Sequence, residues 1–146
     1  MTDNQECQPY VLASMKDHVL WLSMNRPKQR NPLSLSMLTA LYQHIIQAND
    51  DSSVRVIVIS GEGKVFSAGH DLKEMSGRKA GCEPDNEQRV SAILYACTQL
   101  MMALVQSPKP IIACIQGTAS AAGCQLVSMC DLAIAQHEAK FCAPGV

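Results

Sequence analysis

An α/β fold with crossover connections and parallel strands is what this sequence predicts, and three observations carry it. Two short runs rich in β-branched residues, "VRVIVIS" (54–60) and "IIACIQ" (111–116), are apolar enough to be strands covered on both faces. The segments around them switch to the i, i+3, i+4 spacing of amphipathic helices. Strands and helices alternate along the chain, and joining such strands in one sheet requires crossovers.

The elements follow in order. "YVLASMK" and "HVLWLSM" are two β-prone runs parted at Asp17 and read as a hairpin. "NRPKQRNP" has two prolines and two asparagines and is a loop. Ser34 can cap a helix whose apolar positions are Leu38, Leu41, Tyr42, Ile45 and Ile46, closed by "NDDSS". After the first buried strand, "GEGKVFSAGHDLKEM" is a glycine-punctuated loop entering a short helix, with Asp71 as its expected cap. "SGRKAGCEPDNEQR" is polar and rich in breakers, the expected mobile segment. From about Glu87 a second long helix carries Val90, Ile93, Leu94, Cys97, Leu100, Met101, Leu104 and Val105 on one stripe, until Pro108 and Pro110 stop it. A strand "IIACIQG", a helix "GCQLVSMC" and a strand "DLAIAQ" complete the pattern, with Asp131 expected to set a turn before "LAIA".

The composition narrows the function classes. A chain of 146 residues with 47% hydrophobic and 17% charged residues suits one packed domain. Twelve basic and thirteen acidic residues leave no basic block of the kind that holds nucleic acid. No run is expected to reach the apolar length of a membrane span. The seven cysteines are odd in number and lack C-x-x-C spacing, which points to a reducing compartment and small buried hydrophobes. Neither they nor the four histidines recur at metal-ligand spacing, so no metal is expected. The N-terminus "MTDNQECQPY" has neither signal-peptide order nor transit-peptide bias. A cytoplasmic location is therefore expected, or a mitochondrial one if the N-terminus is incomplete.

Chemistry can live in the two turns that follow the buried strands, "FSAGHDLKE" and "GTASAAGCQ". In each, small residues precede a helix start, where backbone N–H groups are unpaired. Side by side, two such turns can aim one N–H each at a single point, the arrangement that stabilises charge on a carbonyl oxygen. The alternative is that the small residues merely allow tight helix–strand packing.

Four blocks, "LSMNRPKQRNPLS", "VRVIVISGEGKVFSAGHDLKEM", "KPIIACIQGTASAAGCQLVSMCDLAIA" and "AKFCAPGV", resemble the crotonase (enoyl-CoA hydratase/isomerase) superfamily in order and spacing. The resemblance implies a crotonase-like ββα spiral truncated before the C-terminal helices. Residues 1–9 would be a disordered tail and 10–146 the N-terminal, incomplete part of the domain. It also implies an acyl-CoA thioester as ligand, with coenzyme A as part of the substrate and no separate cofactor. A homo-trimer or hexamer is implied for an intact member, in fatty acid metabolism.

Carried over by position, the resemblance assigns the two carbonyl-binding N–H groups to His70 and Ala122. It assigns Phe66, Ser67, Ala68, Gly69 and Asp71 to the loop that frames the adenine. Lys28 and Lys73 are candidate phosphate contacts, or else solvated lysines. Family hydratases place glutamates at the positions of Gln125 and Gly145. Gln125 can hold a water but cannot deprotonate it, and Gly145 has no side chain, so two-glutamate hydration is disfavoured. His70 is a candidate replacement acid or base if its ring enters the pocket; turned away, it would bond to Asp71 or to backbone. The chain is thus expected to be a hydratase/isomerase-type lyase or isomerase with an unorthodox base, a non-catalytic acyl-CoA binder, or an inactive fragment.

Overall fold

The hairpin forms as the sequence predicts: β1 (Val11–Lys16) pairs antiparallel with β2 (Val19–Met24) in a computed structural model that describes residues 8–77 and 86–144. Lys16 opposes Val19, leaving the two-residue loop Asp17–His18. Both loop residues have positive φ, 51° and 65°, the pair of values that a type I′ turn requires and that matches strand twist.

Helix α1 (Leu35–Asp50) starts at Ser34, whose Oγ accepts the Met37 N–H at 3.2 Å. Its buried stripe, Leu38, Leu41 and Ile45, lies on the main sheet with Leu22, Ile57 and Ile59 in one core. Each such side chain contributes about 1.5–3 kcal/mol when fully buried. Ile46, expected on the same stripe, is 39% exposed.

After α1 the chain repeats one pattern. Strand β3 (Val56–Gly61) is followed by short β4 (Val65–Ser67), helix α2 (Leu72–Met75) and the long helix α3 (Asn86–Val105). Strand β5 (Ile111–Ile115) is followed by short β6 (Thr118–Ser120) and helix α4 (Ala122–Ser128). Then come β7 (Leu132–Ala135) and β8 (Phe141–Cys142). The long strands build a five-stranded sheet, β1-β2-β3-β5-β7, parallel from β2 onward. The short strands build a second parallel sheet, β4-β6-β8. Each turn adds one strand to each sheet, which is a ββα spiral.

The second sheet lay hidden in the sequence because strands of two or three residues show no periodicity. One expectation is corrected by it. "GTASAAGCQ" is not a plain strand-to-helix turn, because Thr118–Ser120 is a strand paired with β4 and β8.

Helix α3 buries Ile93, Cys97, Leu100, Met101 and Leu104, but Leu94 and Val105 of the expected stripe are 47% and 60% exposed. Strand β7 is exposed along its length, with Leu132 at 61% and Ile134 at 62%. Strand β8 exposes Phe141 at 54% and also Cys142. Among the described residues both strands are sheet edges, so one side has no neighbour. By length and composition Glu87–Val105 reaches what a membrane span needs, contrary to the sequence expectation; its buried stripe makes it a helix packed on the domain. Residues 1–7 of the expected tail, 78–85 of the expected mobile segment, Cys7, Cys82 and Gly145 lie outside the described residues.

Candidate functional site

The site is framed by two loops tied together by backbone and buried side-chain bonds. The first, 25–33, contains a single 3-10 turn, Pro27–Gln29, and then Arg30 and Asn31 at φ 66° and 48°. Asn31 is fully buried and holds this shape. Its Oδ1 accepts the Arg26 N–H at 2.8 Å, while its Nδ2 donates to the carbonyls of Glu62 and Val65 at 2.9 and 2.8 Å. A buried amide with these bonds formed fixes one loop conformation. Arg26 lies 3.8 Å over the Tyr10 ring and donates to the carbonyls of Gln8 and Pro9.

The second loop runs from Phe66 to Lys73. Ala68 N–H donates to Arg30 O at 3.0 Å, and Leu33 N–H donates to Gly69 O at 2.8 Å. Gly69 has φ 91°, a conformation open to glycine at little cost. Asp71 caps α2 as expected, accepting from the N–H groups of Lys73 and Glu74. Glu74, whose direction the sequence left open, accepts the Leu35 N–H at 3.0 Å and so helps cap α1.

The third piece is the start of α4. Ala121 precedes it at φ 50°, ψ −121°, a region that a side chain rarely adopts. Its own N–H is held by Cys142 O at 2.8 Å, so β8 anchors it. A Cβ placed on Gly69 would lie 3.3 Å from Ala122 N and 3.0 Å from Ser120 O, so the two turns abut. Among the described residues, neither the His70 N–H nor the Ala122 N–H donates to a protein acceptor. Gly123 satisfies the packing alternative as well, since a Cβ there would lie 2.7 Å from Ser67 O. Tight packing and unpaired donors therefore coexist.

Beside the first of these turns is a cavity of about 730 Å³. Arg26, Lys28, Arg30 and Lys73 line it together with Ala68, His70 and Asp71. Four cations against one carboxylate make it a place for anionic groups. Among the described residues, His70 Nδ1 is buried and has no hydrogen-bond partner.

The expected site residues thus divide. Lys28, Ala68, His70, Asp71 and Lys73 come together at the cavity. Phe66 and Ser67 are fully buried in the core and cannot touch a ligand there. Gly69 and Ala122 are buried, do not line the cavity and lie against each other. Gln125 is exposed on α4, one turn after Ala122. Sequence reading missed Arg26, Arg30, Tyr10 and Asn31. The loop "NRPKQRNP" carried their signal, a cluster of cations between turn residues, but nothing local told which cations share a face.

A ββα spiral with two mainly parallel sheets built turn by turn is the architecture of a crotonase-type protein. The chain belongs to the enoyl-CoA hydratase/isomerase family, whose model matches residues 14–146. It is 42% identical over 136 residues to enoyl-CoA hydratase domain-containing protein 3, mitochondrial, of Danio rerio, covering 93% of this chain and 45% of that protein. The crystal structure of human enoyl Coenzyme A hydratase domain-containing protein 3 superposes with a TM-score of 0.85 at 38% identity, covering 94% of this chain and 52% of that one. An enoyl-CoA hydratase from Mycobacterium smegmatis gives a TM-score of 0.81 at 42% identity, covering 92% and 50%. The chain spans about half the length of these relatives.

The cytoplasmic expectation is overturned, because the zebrafish relative and its human counterpart are both named mitochondrial. Unpaired cysteines indicated a reducing compartment, and that criterion does not separate cytosol from mitochondrial matrix.

Proposed function

We propose that this protein binds an acyl-CoA thioester, phosphates against the cationic cavity and carbonyl oxygen between the His70 and Ala122 N–H groups. One observation carries the reading: the Gly69–His70 and Ala121–Ala122 turns abut, both entered through positive φ, and His70 also lines a cavity with Lys28, Arg30 and Lys73. Two fixed donors on one oxygen polarise the carbonyl and favour the enolate-like charge that hydration and isomerisation share. Coenzyme A enters as part of the substrate, and no separate cofactor is invoked. The resemblance extends the proposal to fatty acid metabolism, a mitochondrial location and a homo-trimer or hexamer for the intact protein.

Within this reading, catalysis needs a proton-transfer group other than Gln125, and His70 at the cavity is the candidate. Gln125 favours a second reading, an acyl-CoA binder without turnover, since an amide holds water but does not take its proton. Calorimetric titration with crotonyl-CoA and with free CoA, alongside loss of enoyl absorbance, separates these. Binding with turnover supports the enzyme, binding alone supports the non-catalytic reading, and absence of binding overturns both.

A further inference from the structure

Ser67 touches neither the cavity nor solvent, yet it is bonded or packed to every part of the site. It is fully buried. Its Oγ donates to Asn31 O at 2.9 Å and accepts the Gly69 N–H at 3.2 Å. Through the first bond it meets the loop carrying Arg26, Lys28 and Arg30. Through the second it holds the Ala68–Gly69 peptide, one before the peptide that carries the His70 N–H. On its other side it packs against α4: a Cβ on Gly123 would lie 3.0 Å from Ser67 Cβ and 3.2 Å from its Oγ. Gly123 follows Ala122 directly. The strand pairing is irregular here as well, with a register shift between Val65 and Ser67 where β4 meets β6.

From this placement we propose that Ser67 is the positioning residue that sets the separation and direction of the His70 and Ala122 N–H groups. It does so by its hydroxyl on the His70 side and by contact on the Ala122 side. The inference rests on the carbonyl-binding reading above. The Oγ–H is committed to Asn31 O, so its lone pairs face the Gly69 N–H, and the hydroxyl spans two loops that local sequence leaves independent. Removing it orphans a buried carbonyl and a buried N–H. The Ala68–Gly69 peptide then loses its N–H anchor, and with the Leu33 N–H on Gly69 O as the remaining tie the His70 donor shifts from its line of approach. The cations at the cavity have other anchors, chiefly Asn31 Nδ2, and stay in place.

The test uses the full 146-residue chain with crotonyl-CoA carrying 13C at the thioester carbon. Wild type is expected to move that resonance downfield on binding, the signature of a polarised carbonyl. Ser67→Ala is expected to lose more than about half of this displacement while its Kd for free CoA changes by less than about threefold. Ser67→Cys keeps the volume with a weak donor and is expected to fall between the two; it serves as the probe if the alanine variant does not fold. A polarised carbonyl in wild type that is unchanged in both variants overturns the role of Ser67 and leaves the carbonyl site intact. An equal loss of CoA affinity and polarisation overturns it in favour of a purely structural serine. No displacement in wild type overturns the carbonyl site, and the positioning role with it.

Discussion

Gly69 and Ala121 press against each other across two turns: a Cβ on the glycine would lie 3.0 Å from the alanine methyl, and both have positive φ. Glycine reaches φ 91° at no steric cost, whereas Ala121 at φ 50° and ψ −121° is strained. Ala121→Gly is therefore expected to stabilise the fold by about 1 kcal/mol, read as a raised urea midpoint at unchanged m-value. A lowered midpoint would mean that the methyl's packing outweighs its backbone strain.

Charge at the cavity makes a second prediction. If CoA phosphates lie against Lys28 and Lys73, the double change to Gln weakens CoA binding by about tenfold and flattens its dependence on salt. Titrations at low and high ionic strength check this. Equal affinities for wild type and variant at low salt would place the phosphates elsewhere.

Acid sensitivity should trace in part to His44. Burial holds its imidazole below the ordinary value of 6.5. Below that pH the unfolded chain binds more protons than the folded one, so stability falls as pH falls. Above it the residue is neutral in both states and adds no slope. Urea midpoints are expected to decline as pH falls through 6.5, and His44→Gln to reduce that decline. An unaltered slope in the variant would assign the effect to another group.

Thiol reactivity should separate two cysteines near the ends of α4 and the second sheet. Burial, with Asp131 beside it, pushes the Cys130 thiol up to about 12, whereas Cys142 is exposed on β8. The thiolate is the nucleophile, so at pH 8 Cys142 is expected to alkylate at least about tenfold faster, scored by mass spectrometry of timed iodoacetamide digests. Comparable rates would show that the end of α4 opens in solution.

Much of this fold was legible along the chain. Ser34 and Asp71 cap the helices that their positions announced, because a cap is a bond between residues two or three apart. Strands β3 and β5 were readable from their β-branched runs. The second sheet was not, since β4 and β8 have three and two residues and exist through pairing with β6. At the site, family blocks pointed to His70, Ala122 and Gln125. They also suggested Phe66 and Ser67 as ligand contacts, which burial rules out.

Local chemistry along the chain thus determined where helices begin and which runs become strands. These are matters of short-range sterics, hydrogen bonding and side-chain identity. Long-range packing decided the rest. It buried Ser67 between Asn31 and Gly123, turned Glu74 onto the start of α1, and gathered Arg26, Lys28, Arg30 and Lys73 around one cavity. Apart from the three cations of one loop, these contacts join residues far apart in sequence, and each depends on the spiral bringing successive turns into register.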